Sequence, residues 1–254
     1  MGCRLAIQAF SFRLFSLYEA IEKTATLGLK YIEAYPGQIL SGDRPDLKFD
    51  YDLPDDVLAE VKAKLSSSGV TLINFGVAWL PKDEARWRDF FAFAKKMGIE
   101  TIAMEPAEET IEQIDALCQE FDVRVAIHNH PKPSHYWNPE TVLRLCEGRS
   151  RHIGACPDTG HWIRSGIDPV EGLRMLEGRI ISLHVKDLDE LKPDANLVPW
   201  GLGKGNIAGQ FAELERQGLN PVIAIEYEDK WEDSMKEISQ CIDFCNRIND
   251  QEKK

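Results

Sequence analysis

The sequence predicts a single (β/α)8 TIM barrel over residues 1–254, with its active site at the C-terminal ends of the strands. Short apolar, β-rich runs alternate with stretches of helical periodicity along the chain. The return from helix to strand is repeatedly marked by a glycine or a polar turn, and nearly every strand closes on a polar side chain. That last feature favours a barrel over a doubly wound open sheet. A barrel collects polar groups at the ends of all its strands, whereas an open sheet concentrates them near one crevice.

The predicted strands are LAIQAF (5–10), KYIEAY (30–35), VTLINF (70–75), IETIAM (99–104), VRVAIH (123–128), HIGACP (152–157), IISLHV (180–185) and PVIAIE (221–226). Between them lie amphipathic segments such as SLYEAIEKTATLG, DDVLAEVKAKLSSSG, EARWRDFFAFAKKMG and ETIEQIDALCQEF, whose apolar residues fall three and four apart. Gly28, Gly69, Gly98 and Gly218 end four helices where the chain must enter the left-handed region. Glu33, Asn74, Glu105, His128, Asp158, His184 and Glu226 end strands two to eight. The longer loops, 36–53, 131–138 and 187–206, lie over the same mouth.

A composition of 43% hydrophobic and 28% charged residues, with no membrane-length apolar run, reads as a soluble protein with a sizeable core. The net charge of −12 disfavours nucleic acid and acidic membranes as partners and leaves a small molecule. Cys3, Cys118, Cys146, Cys156, Cys241 and Cys245 form no CxxC pair, so reduced, mostly buried thiols in the cytoplasm are expected. No targeting pattern opens the chain, although a trimmed export leader is compatible with it.

Asp158 in CPDTGH, His184 in SLHVKD and Glu226 in IAIEYED end three successive strands. Singly, each has a structural explanation: Asp158 as a helix cap, His184 as a satisfied core histidine, Glu226 as the partner of a lysine. Together at one mouth, the carboxylates would repel unless a cation or shared proton compensated them, and one divalent metal is expected. Mixed oxygen and imidazole donors suit Mn, Co, Zn, Fe or Mg, and do not suit a structural thiolate zinc site. Such an ion would act as a Lewis acid while a nearby carboxylate or histidine removes a proton beside a carbonyl.

KYIEAYPG, VAIHNHP, CPDTGHWIRSGIDP, IISLHVKDLD, VPWGLGKGNI and PVIAIEYED together resemble the xylose-isomerase-like TIM barrels, the sugar phosphate isomerase/epimerase superfamily. The resemblance covers almost the whole chain. The Asp-x-x-His of Asp158 and His161 and the His-x-Lys-Asp of His184, Lys186 and Asp187 mark the superfamily without marking one substrate. It implies a metal held by Glu, Asp, His and Glu at the ends of strands five to eight. Asp158, His184 and Glu226 match the last three, and His128 stands where the first glutamate belongs. His128 is therefore expected as the fourth ligand, with Glu105 as reserve ligand or base.

Among the other polar groups, Glu226 is expected to move the proton, as its counterparts do in the epimerases the chain resembles. By the same resemblance His161 would contact the substrate or tune the site; otherwise it is a loop histidine bonded to backbone. His130 follows His128 at strand spacing, and Pro131 favours extended backbone there, so both would face the mouth. Lys186 either donates to a substrate oxygen or pairs with Glu226, and Asp187 orients a neighbour. Glu33 either binds sugar hydroxyls or meets an arginine. Trp79, Trp137, Trp162 and Trp200 fall in predicted loops and form either a wall for a sugar face, with Trp162 and Trp200 the chosen contacts, or aromatic packing over the barrel top. The glycines of GLGKGN (201–206) shape a turn with Asn206 capping the next helix, although their amides are also suited to a phosphate or sugar oxygen.

The expected function is a metal-dependent sugar isomerase or epimerase that abstracts a proton next to a carbonyl. The alternative is a lyase or dehydratase that uses the same enediolate for β-elimination on a 3-keto-glycoside or inosose, and the histidine at position 128 raises its standing. An endonuclease IV-like nuclease is disfavoured by six histidines in all and by the net charge of −12, and a non-catalytic sugar-binding barrel is a further class.

Overall fold

A computed structural model describes residues 4–251, the last two by backbone alone, so Cys3 lies outside the described residues. Eight parallel strands form one sheet: β1 (Arg4–Gln8), β2 (Tyr31–Ala34), β3 (Thr71–Ala78), β4 (Thr101–Met104), β5 (Arg124–His128), β6 (Ile153–Cys156), β7 (Ser182–Val185) and β8 (Val222–Ile225). Neighbours follow chain order from β1 to β6, and β8 lies between β1 and β7. Two isolated parallel bridges, Ala155 to Ile180 and Asp158 to His184, close the ring between β6 and β7. The barrel's seam thus places two of the predicted metal ligands side by side.

Helices α1 (Leu17–Thr26), α2 (Asp55–Ser67), α3 (Trp87–Met97), α4 (Ile111–Phe121), α5 (Pro139–Cys146), α6 (Thr159–Arg164), α7 (Pro169–Met175), α8 (Ile207–Arg216) and α9 (Met235–Gln251) alternate with the strands. Gly28, Gly69, Gly98 and Gly218 take positive φ after α1, α2, α3 and α8, as their positions require. β1 stops two residues short of the predicted strand end, because the Gln8 side chain accepts the Phe10 N–H at 2.8 Å and turns Ala9–Phe12 into a short 3-10 segment. Loop 36–53 holds an antiparallel hairpin, Gln38–Ser41 with Arg44–Phe49, and loop 187–206 a two-residue ladder, Asp187–Leu188 with Leu197–Val198.

Strand alternation separates two apolar layers. Ile7, Ile32, Val125, Ile127, Ile153, Leu183, Val185, Ile223 and Ile225 belong to the large core between barrel and helices. Ala6, Val222 and Ala224 form one small cluster inside the barrel, and Ala103, Ala126 and Cys156 belong to another. Extending the inner parity upward along each strand brings Gln8, Glu33, Glu105, His128, Asp158, His184, Lys186, Glu226 and Glu228 to the C-terminal mouth. Small inner residues below leave room for these large polar ones above. The described cysteines, Cys118, Cys146, Cys156, Cys241 and Cys245, are all buried. Among the described residues, no helix is long and apolar enough to cross a membrane.

Candidate active site

His128, Asp158, His184 and Glu226 are all buried, and one ligand atom from each lies within 4.8 Å of the others. His128 Nε2, Asp158 Oδ2, His184 Nδ1 and Glu226 Oε2 are buried without a well-formed hydrogen bond. Two imidazole nitrogens and two carboxylate oxygens converging within this span are the donor set of a divalent metal, and they fit one. The Asp158 backbone is clamped by Asn129, whose Oδ1 accepts its N–H at 2.9 Å and whose Nδ2 donates to its carbonyl at 3.1 Å. Asp158 also caps α6, with Oδ1 accepting the His161 N–H at 3.0 Å, so the helix fixes one carboxylate oxygen and leaves Oδ2 in the site.

Each histidine of the set is oriented by a carboxylate behind it. His184 Nε2 bonds Glu33 Oε1 at 2.8 Å, which turns Nδ1 toward Glu226 Oε2 at 3.0 Å. His128 Nδ1 bonds Glu105 Oε1 at 3.2 Å, which turns Nε2 toward Asp158 Oδ2 at 3.7 Å. Such backing fixes the tautomer and strengthens an imidazole as a ligand.

Lys186, fully buried, places Nζ 2.8 Å from Asp158 Oδ2, 3.1 Å from Glu226 Oε2 and 2.6 Å from Glu228 Oε2. Gly160 permits its course, since a Cβ there would lie 2.6 Å from Lys186 Cβ. Burial alone would neutralise Asp158 and Glu226. His161, Lys186 and His128 overcome it for Asp158, holding its pKa well below the usual range, and Lys186 with His184 brings Glu226 down to about 2. Burial opposes the charge on Lys186, and Asp158, Glu226 and Glu228 more than restore it. Burial likewise disfavours a charged His184 ring, yet Cys156, Glu33 and Glu226 raise its pKa well above that of a free histidine, so the surroundings favour a cation at this point. His161 goes the other way: burial, helped by Lys186 and His128, lowers it to about 3, and its ring is neutral at neutral pH.

Above this group opens a cavity of about 380 Å³ whose walls include Phe10, Tyr35, Trp79, His130, His161 and Glu228, with His128 and Glu226 at its inner end. His130 and His161 stack at 5.3 Å between centroids. The structure therefore brings Glu226, His161 and His130 to one cavity, with Lys186 held beneath by the carboxylates.

Several expectations need correction. Glu33 meets neither sugar nor arginine: it is fully buried, bonding His184 and receiving Asn74 Nδ2 at 3.2 Å and Gln8 Nε2 at 3.4 Å. Trp162 lies in α6 rather than a loop, is 1% exposed, and packs where a Cβ on Gly172 of α7 would strike its ring. Trp200 is also buried, donating from Nε1 to the Val185 carbonyl at 3.2 Å. Of the four tryptophans, Trp79 borders the cavity as expected, beside Phe10 and Tyr35. The GLGKGN amides are not free for a phosphate, because Asp187 accepts from Gly201, Gly203 and Gly205 at 2.8, 3.0 and 2.8 Å. A Cβ on Gly205 would lie 2.9 Å from that carboxylate, so the glycines serve close approach. Asn206 caps α8 as expected. Glu228, Gln8 and Asn129 escaped the reading, although Glu226-x-Glu228 repeats the strand spacing that drew notice to His128 and His130.

An uncharacterised protein of Parabacteroides distasonis ATCC 8503 is similar at 35% identity and TM-score 0.79, with 97% of this chain and 99% of that chain covered. D-psicose 3-epimerase of Clostridium cellulolyticum H10 shares the fold at 14% identity and TM-score 0.71, covering 96% and 98% of the two chains. The probable 3-DHS dehydratase AsbF of Bacillus anthracis does so at 14% identity and TM-score 0.71, covering 94% and 98%. A search of functionally curated proteins finds no match. Residues 21–247 match the family profile, and the chain belongs to the xylose isomerase-like TIM barrels.

Proposed function

We propose that the protein is a divalent-metal-dependent enzyme that removes a proton from the carbon next to the carbonyl of an uncharged keto sugar or sugar derivative and returns it, giving isomerisation or epimerisation. The observation that carries this is the convergence of His128 Nε2, Asp158 Oδ2, His184 Nδ1 and Glu226 Oε2, all buried and within 4.8 Å of one another, at the inner end of a cavity with aromatic walls. These four residues would hold the metal, which when bound supplies a Lewis acid for substrate oxygens. Glu226, ionised and facing the cavity, takes the proton; Lys186 keeps Glu226 and Asp158 charged; His161, neutral, offers a hydrogen bond to a substrate hydroxyl. No lysine or arginine appears among the described residues of the cavity wall, while Glu226 and Glu228 do, which favours a sugar without phosphate.

One observation favours elimination from the same enediolate as a second reading. Glu105, the carboxylate nearest to the missing glutamate, spends one oxygen on His128 Nδ1, the His130 N–H and His130 Nδ1, and the other on Ser134 Oγ. Burial raises its pKa, but the bonds from His128 and His130 hold it well below the carboxylate range, so it is a poor proton shuttle. Without a second glutamate, one-sided proton removal followed by loss of a β-substituent competes with return of the proton.

The test is to incubate metal-loaded protein with keto sugars and 3-keto-glycosides in deuterated water. The expected result is deuterium at the α-carbon or an enone product, both abolished with metal retention in Asp158→Ala. Absence of retained metal together with absence of exchange in the wild-type protein would sink the proposal.

A further inference from the structure

Trp79 borders a second space as well as the active-site cavity. Beside that indole lies a second cavity of about 190 Å³, formed over the ends of β3 and β4 by Trp79, Leu80, Trp87, Met104, Pro106 and Ala107. The two spaces share Trp79 as a common wall, and Glu105, which borders the second, touches the two histidines His128 and His130 that border the first. Trp79 itself is 68% exposed, a large apolar side chain left open to water at the junction.

The chemistry of the second wall is distinct from that of the first. Its polar side chains already have partners: Glu105 is occupied at both oxygens, Thr110 Oγ donates to the Ala107 carbonyl at 2.7 Å, and Trp87 Nε1 donates to the Pro81 carbonyl at 2.8 Å. A second sugar ring placed there would bury many hydroxyls against a wall that is mostly apolar and whose few N–H and O–H donors are already spent, which is costly. An uncharged aromatic ring finds two indoles, a thioether and a proline, and needs no polar partner.

We infer that the second cavity is a subsite for the aromatic aglycone of a glycoside whose sugar ring occupies the main cavity, so that the substrate class is an uncharged aryl glycoside carrying a keto group on its sugar ring. This rests on the proposed sugar chemistry and adds to it what the sugar carries. Trp79 then contacts both parts of the substrate, and ligand binding covers its exposed face.

The test is calorimetric titration of metal-loaded protein with matched phenyl and methyl β-glycosides of glucose, galactose and xylose, which lack the keto group and so serve as unreacting binding probes. At least one phenyl glycoside should bind about tenfold more tightly than its methyl partner, a ratio within reach of one buried ring. Ala107→Phe, which adds a ring to the lining of the second cavity at an exposed position, should bring that ratio close to one, and Trp79→Ala should lower it as well. Thermal unfolding of each variant shows whether it is folded. A ratio near one throughout the wild-type panel, binding of neither member of any pair, or an aryl preference that a folded Ala107→Phe leaves intact overturns the inference. The two proposals fail separately: deuterium exchange on free keto sugars without aryl preference removes only the subsite, and aryl preference without exchange on any sugar removes only the catalytic reading.

Discussion

The two carboxylate–histidine pairs behind the metal group are built from the same residue types and differ in how they are sealed. His184 and Glu33 have side chains at 0% exposure, and the carboxylate is bracketed by Gln8 and Asn74 from the flanking strands. In the other pair, His128 is 2% and Glu105 18% exposed, and Glu105 is shared with His130, itself 48% exposed. The first pair is part of the barrel wall, while the second reaches from the wall to the substrate cavity. The contrast teaches that one proposed ligand is fixed by the fold and the other is tied to groups that open on the cavity.

Removing the buried carboxylate tests the contrast most severely. Glu33→Ala leaves His184 Nε2 and Asn74 Nδ2 without their acceptor inside the barrel, while Gln8 Nε2 keeps the Gly76 carbonyl at 2.6 Å, and a loss of about 3–5 kcal/mol is expected. Glu105→Ala, at the wet edge, is expected to cost about 1 kcal/mol. Denaturant unfolding of the two metal-free variants measures both, and equal losses would erase the distinction between wall and edge.

This contrast also marks what the sequence could and could not tell. The parity that sends Ala126 inward also sends His128 inward, so the barrel and the mouth residues from Glu33 to Glu226 were legible from alternation alone. The fate of Glu33 was not, because it depends on register: Gln8 and Asn74 are its direct partners on β1 and β3, a fact carried by strand pairing rather than by any one segment. The expectation for Trp162 failed for a related reason. Sequence position placed Trp162 near the mouth, but it lies on a helix six residues long, and the ring turns toward α7 instead of the cavity. Asp187 was recognised as an orienting group, yet that its partners are the glycine amides of the following loop emerges only when residues fourteen to eighteen positions apart are folded together.

Metal affinity sharpens the comparison at the next level. Glu105→Gln preserves shape but removes the charge that orients His128 Nδ1, and binding of Mn or Zn should weaken about 10–100-fold. Chelator competition reads this directly, alongside the unfolding midpoint of the metal-free variant, which should move little. Unchanged affinity would show that His128 is not a ligand and that the other three residues suffice.

The smallest expected effect lies at the outer end of the second pair. The hydrogen bond that His130 donates to Glu105 raises the His130 pKa above its ordinary 6.5, against the opposing effect of burial. A raised value in the folded state means that the contribution of this contact is complete below about pH 6.5 and is lost as pH rises through the folded pKa. Glu105 acts in the opposite sense: its lowered pKa makes the same contact available above about pH 4.3 and removes it as pH falls through the folded value. The stability difference between the wild type and Glu105→Gln should therefore contain a pH-dependent part that peaks between these limits, on the order of a few tenths of a kcal/mol because solvent screens His130. Nuclear magnetic resonance titration of the metal-free protein isolates it: the His130 ring should titrate above 6.5 in the wild type and return toward that value in Glu105→Gln. An identical titration in both proteins would detach His130 from the pair and leave His128 and Glu105 as a wall element like the first.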